Sequence, residues 1–95
     1  MKYVLFYEVA DDVQAKAPPH MPAHMAHIKA FHAGGGLEQV GLFGSPQDEG
    51  AMVIFSTREA AEAFAETDPF TLNGVVKRWY IRQWDEIYSR PAANS

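Results

Sequence analysis

Two observations predict a small α+β domain built on one four-stranded antiparallel sheet. Strand-like and helix-like segments alternate in the order βαββαβ, and a chain of 95 residues has room for one such unit and no second. The strands are apolar on both sides, which two helices packed on one face cannot cover.

The first strand is read over residues 2–9, Lys-Tyr-Val-Leu-Phe-Tyr-Glu-Val, where β-branched and aromatic residues dominate. A polar loop is expected over 10–19. Proline is tolerated at the start of a helix because its missing N–H would have had no partner there, so Pro18, Pro19 and Pro22 introduce the first helix. That helix is expected over 22–33, with Met25, Ile28 and Phe31 as its apolar stripe and Gly34-Gly35-Gly36 as its stop. The second strand follows over 37–43, a polar turn over 44–50, and the third strand over 51–55, together a hairpin.

Ser56-Thr57-Arg58-Glu59 matches a capping box with Ser56 as the cap, and so opens the second helix. Its stripe is Ala60, Ala61, Phe64 and Ala65, and it must end near Thr67 because Pro69 disfavours a helical Asp68. Asn73-Gly74 turns the chain into a long last strand over 75–84. The order is the ferredoxin-like one. In total the reading is a single domain over 1–88 with a flexible tail over 89–95.

The strands carry a further implication. Tyr3, Leu5 and Tyr7 alternate with Val4 and Phe6, and Ala51, Val53 and Phe55 alternate with Met52 and Ile54, so neither sheet face is polar. At about 25 cal/mol per Å², leaving the second face wet forgoes several kcal/mol. A second copy of the sheet is the simplest cover, and a homodimer is expected.

Composition narrows the function classes. The formal charge of −4 arises from 12 acidic against 8 basic residues, and the basic ones form no run that would track phosphates, so nucleic acid is not expected as a partner. The chain has no cysteine, which removes thiolate catalysis and thiolate metal sites. No apolar run is long enough to span a bilayer, so no membrane partner is expected and a cytoplasmic address is the default.

His20, His24, His27 and His32 crowd into thirteen residues, and His24 and His27 are neighbours on a helix surface. A zinc site would need three or four ligands in tetrahedral array, and no carboxylate stands at a matching position on this helix; the reading is no metal. Asp68 before Pro69 is a good N-cap for a single helical turn, and a capping aspartate can also orient a histidine.

Taken in order, Pro22-Ala23-His24, Gly36-Leu37, Gly44 with Pro46, Glu59-Ala60, Asp68-Pro69-Phe70, Gly74 and the terminal Trp84 resemble the YciI-like (YCII-related) family over nearly the whole chain. The resemblance implies a dimeric α/β barrel in which two ferredoxin-like sheets pack face to face. It also implies kinship with the muconolactone-isomerase group, a chloromuconolactone dehalogenase among its members. It places a histidine and aspartate pair at the active site, here His24 and Asp68. A substrate pocket is expected beside that pair, with Phe70, Trp84 and Gly44. The chain departs from the family pattern at Met21, where many members carry a basic residue, and in its shorter loop over 44–50. Both lie at the expected pocket mouth, so substrate identity does not carry over.

Two functions follow as expectations. One is an enzyme without a cofactor, using His24 as general acid and base, oriented by Asp68, on a lactone-like or aromatic-derived metabolite in isomerase or dehalogenase chemistry. The alternative is a non-catalytic small-molecule-binding or interaction module on the same barrel. The pocket is expected between the helix layer and the sheet or at the barrel end.

Overall fold

The computed structural model describes residues 1–91. Four strands, β1 (Lys2–Val9), β2 (Leu37–Leu42), β3 (Ala51–Phe55) and β4 (Val76–Trp84), form one sheet in the order β2-β3-β1-β4, with every neighbouring pair antiparallel. The helices are α1 (Val13–Lys16), α2 (Met21–Ala33), α3 (Pro46–Glu49), α4 (Arg58–Thr67) and α5 (Pro69–Leu72), with a 3₁₀ turn at Pro18–His20. The α+β ferredoxin-like reading is therefore correct. Of the tail expected over 89–95, residues 89–91 carry no helix or strand, and 92–95 lie outside the described residues.

Pleat parity divides the sheet as the sequence predicts. Leu5 and Tyr7 of β1, Val53 and Phe55 of β3 and Val76 of β4 are buried with Ala61, Phe64 and Ala65 of α4. Phe64 is the hub: its ring lies 5.3 Å from Phe55 and 5.2 Å, edge-on, from Phe31. Full burial of such a ring contributes about 1.5–3 kcal/mol, and the alanines beside it let α4 lie close to the strands. Gly36 makes the same closeness possible at the entry to β2, since a Cβ there would stand 2.8 Å from Ala60 Cβ. The other face carries Phe6 stacked on Tyr80 at 5.1 Å, with Met52 paired to Phe6 and Ile54 to Val4.

Four local expectations need correction. The stretch 10–19 is not bare loop, because Asp12 accepts from the amides of Ala15 and Lys16 to start α1 and the prolines tighten the next turn. The turn over 44–50 likewise contains α3. The cap of α4 is Thr57, whose extended backbone lets its hydroxyl accept from Ala60 N at 3.2 Å; Ser56 instead donates to the Gly36 carbonyl at 3.3 Å, so no capping box forms. In α2 the inward stripe is His24, His27, Ile28 and Phe31, an i, i+3, i+4, i+7 set. Met25 is exposed, and no residue of α2 is fully buried.

Among the described residues, no helix is long and apolar enough to cross a membrane.

Candidate functional site

Asp68 sits where α4 ends and α5 begins. Its extended backbone (φ −63°, ψ 127°) and the fixed φ of Pro69 turn the carboxylate back over the first turn of α5, where Oδ1 accepts from Phe70 N at 3.0 Å. The N-cap reading is thus correct, yet capping occupies one contact only. The same Oδ1 accepts from His24 Nδ1 at 2.8 Å, and Oδ2 accepts from the Tyr7 hydroxyl at 2.7 Å. Three elements, α2, β1 and α5, converge on one fully buried carboxyl.

The electrostatics follow from those contacts. Burial alone would push the Asp68 carboxyl up, but the hydrogen bonds from His24, the Phe70 N–H and Tyr7, with the nearby His24 charge, hold it below the usual carboxylate range. Asp68 is therefore ionised at neutral pH, so His24 Nδ1 must carry the hydrogen it shares, and in the neutral ring the lone pair lies on Nε2. Tyr7 is driven the other way. Its burial and the Asp68 charge push the phenol well above its ordinary range, which keeps it a donor. The buried Thr71 hydroxyl has no hydrogen-bond partner among the described residues.

The His24 ring lies flat on Phe70, with centroids 3.7 Å apart and planes 4° from parallel. One nitrogen is fixed by Asp68 and the ring plane by Phe70, so the remaining freedom of the side chain is small. His24 and Phe70 line a cavity of about 350 Å³ between the helix layer and the sheet, closed by Tyr7, Met21, Leu42 and Pro46 among others. This is within the usual range for small-molecule sites. The His24 side chain is 13% exposed, enough for contact with a molecule in that cavity. The arrangement presents to the cavity an imidazole fixed in tautomer and plane, the kind of group that serves acid–base chemistry.

Of the residues expected at the site, the structure brings His24, Asp68 and Phe70 together. It does not bring Gly44 or Trp84 to the cavity. Gly44 lies in the turn before α3, which offers the cavity Pro46 and Gln47 instead. Trp84 pairs with Lys2, and the two-residue pleat period puts that pair on the sheet face away from the helices, where Trp84 lies beside Val4 and Phe6. Sequence reasoning missed Tyr7 as a partner of Asp68. The available signal was a hydroxyl on the helix-facing side of a central strand, where a buried donor needs an acceptor.

His27 is engaged elsewhere: its Nε2 is 3.0 Å from the carbonyl of Phe64, one of the last four of α4, which lack helical partners. That contact ties α2 to the end of α4. Among the described residues, no group of three or more histidines, aspartates or glutamates is placed to hold a metal ion.

The architecture has known counterparts. A family model described as the YCII-related domain matches residues 1–85. The protein YciI of Escherichia coli and its counterpart in Shigella flexneri are each 28% identical over 98 residues, covering 93% of this chain and all of the relative. Among solved structures, the 5-chloro-2-hydroxyhydroquinone dehydrochlorinase TftG of Burkholderia phenoliruptrix, in complex with 2,5-dihydroxybenzoquinone, superposes with a TM-score of 0.67. It shares 19% identity over 90% of this chain and 94% of its own, a likeness of fold. With a matching domain from the first residue to the end of the last strand, the chain belongs to the YCII-related family.

Proposed function

We propose that the chain is a small enzyme without a cofactor, a cytoplasmic homodimer that uses His24 and Asp68 for acid–base chemistry on a lactone-like or aromatic-derived metabolite. The observation that carries this reading is the division of labour on the imidazole. Nδ1 is held 2.8 Å from a buried, ionised carboxylate, and the same ring lines an apolar cavity, with Nε2 as the nitrogen left to act.

In the proposed reaction, Nε2 removes a proton from the carbon beside a carbonyl, and the electrons of the C–H bond move into the carbonyl as an enolate. Isomerisation returns the proton to another carbon of the conjugated system. In a dehalogenation the same electrons form a new double bond while the carbon–halogen bond breaks and halide leaves, and His24 later yields its proton to water. The oriented base contributes about 10²–10⁴-fold to such a step. The TftG neighbour, a dehydrochlorinase crystallised with a quinone, supports small-ring substrates of this kind.

The homodimer is supported by the uncovered apolar face of Phe6, Tyr80, Met52 and Ile54. For the enzyme reading the test is His24→Ala against lactones and ring-hydroxylated aromatic intermediates. Turnover should fall by about 10²-fold or more, and unchanged turnover of every accepted substrate overturns the assignment. The alternative, a binding module, draws on the capping role of Asp68, which gives that residue a structural task whether or not any reaction occurs.

A further inference from the structure

The charge of the cavity lining defines the ligand more narrowly than its shape. Among the described residues, the polar side chains that line it are His24, Tyr7, Gln14 and Gln47; the rest are apolar side chains or glycine. Tyr7 gives its hydroxyl hydrogen to Asp68, so it has no donor left for a ligand. Neither lysine nor arginine lines the cavity. Lys16 on the neighbouring α1 stands 3.6 Å from Asp12, outside the lining.

Around this apolar space carboxylates outnumber cations. Asp68 is buried directly behind His24. A second depression shares Val9 and Gln47 with the cavity and is lined by Glu8, Asp11, Asp48 and Glu49; Lys77 faces Asp11 at 3.7 Å and Arg78 pairs with Glu8 at 3.0 Å, which leaves Asp48 and Glu49 as its carboxylates without a basic partner among the described residues. A ligand carboxylate entering here would leave water, find no cation beyond an imidazole already paired, and approach at least two acidic groups. Burying an unpaired carboxylate is strongly unfavourable, whereas an uncharged ring meets no such penalty.

We infer that the cavity takes an uncharged, ring-sized ligand that presents a hydroxyl or carbonyl to His24 Nε2, and that it rejects carboxylate analogues of the same shape. This rests on the acid–base reading of His24 and narrows its substrate to neutral lactones, phenols and quinone-like rings. Met21 is the residue that sets the preference. It lies one turn before His24 on the same face of α2, lines the cavity and is partly exposed at its mouth, so a longer cationic side chain fits there without disturbing the core.

The test is calorimetric titration of the full chain at pH 7.5 with methyl 4-hydroxybenzoate and with 4-hydroxybenzoate, which share ring and hydroxyl and differ in charge. The ester should bind at least about tenfold more tightly than the acid, and Met21→Lys should tighten the acid by about tenfold and move the ester-to-acid affinity ratio by a similar factor toward the acid. Gln14→Lys, on a different element, repeats the charge insertion should the first variant fold poorly. Equal or tighter binding of the acid, no binding of the ester, or no gain for the acid in a folded lysine variant overturns the inference. Because binding is read without turnover, the two proposals fail separately. A chain that prefers the ester yet converts no substrate refutes the acid–base reading, and one that converts a carboxylate substrate through His24 refutes the charge selection.

Discussion

Asp68→Asn isolates the charge at the centre of the site while keeping its shape. In the native chain one carboxylate accepts three hydrogen bonds, from His24 Nδ1, Phe70 N and Tyr7 Oη. Bonds to an ionised group are worth about 1.5–3 kcal/mol and neutral ones about 0.5–1.5. Neutralising the acceptor of three therefore removes about 3 kcal/mol, less what is regained because a charge is no longer buried. A net loss of about 2–3 kcal/mol at pH 7 is expected, which lowers a urea midpoint by about 1–2 M.

The loss must also depend on pH with a definite sign. The native Asp68 carboxyl lies below the ordinary aspartate value of 3.8, so the unfolded chain binds its proton first as pH falls. Its stabilisation is complete above 3.8 and disappears as pH drops through the native value, because a protonated aspartic acid resembles asparagine. Urea unfolding of both chains between pH 7 and 2.5 should show the gap closing at the acid end. A gap that stays constant across this range, or an asparagine variant as stable as the native chain at pH 7, refutes the account of Asp68 as an ionised acceptor.

Tyr7→Phe deprives Asp68 Oδ2 of its hydrogen-bond partner and should cost about 1–3 kcal/mol by chemical denaturation. Gly50→Ala should be worse: Gly50 has φ 77°, and a Cβ would stand 1.9 Å from the Tyr7 carbonyl oxygen, so β1 and the α3–β3 junction cannot both keep their places. A thermal midpoint lowered by less than about 4 °C would contradict that contact, since about 1 kcal/mol already produces such a shift in a domain of this size. For the sheet face, light scattering should give about twice the 10.6 kDa of one chain, and Ile54→Lys should halve it by setting a charge among apolar side chains.

The strands were the most legible part of the sequence. Each carries β-branched and aromatic residues at a two-residue period, and that period alone assigns Leu5 and Val53 to one face and Phe6 and Met52 to the other, as the pairing bears out. The helix face of α2 was misread because its inward stripe begins with two histidines. Their rings fill apolar space against Phe70 and Phe64, which a count of aliphatic residues does not register. Asp68 and His24, 44 positions apart, meet only through tertiary packing, and the family resemblance rather than any local rule joined them. Tyr7 was hidden for the same reason, whereas Met21 was placed at the pocket mouth by the family pattern, and pleat parity sets Trp84 on the sheet face away from the helices.

The helix that bears His24 has no fully buried residue, and its firmest polar ties are the two imidazole contacts, one to Asp68 and one to the Phe64 carbonyl. Such an element has a low free energy of local opening compared with the four-stranded sheet beneath it. The ring that would meet a ligand thus rides on a peripheral segment and not on the sheet itself. Both latches are imidazoles, so the histidines of this helix are its fastenings as well as its candidate chemistry.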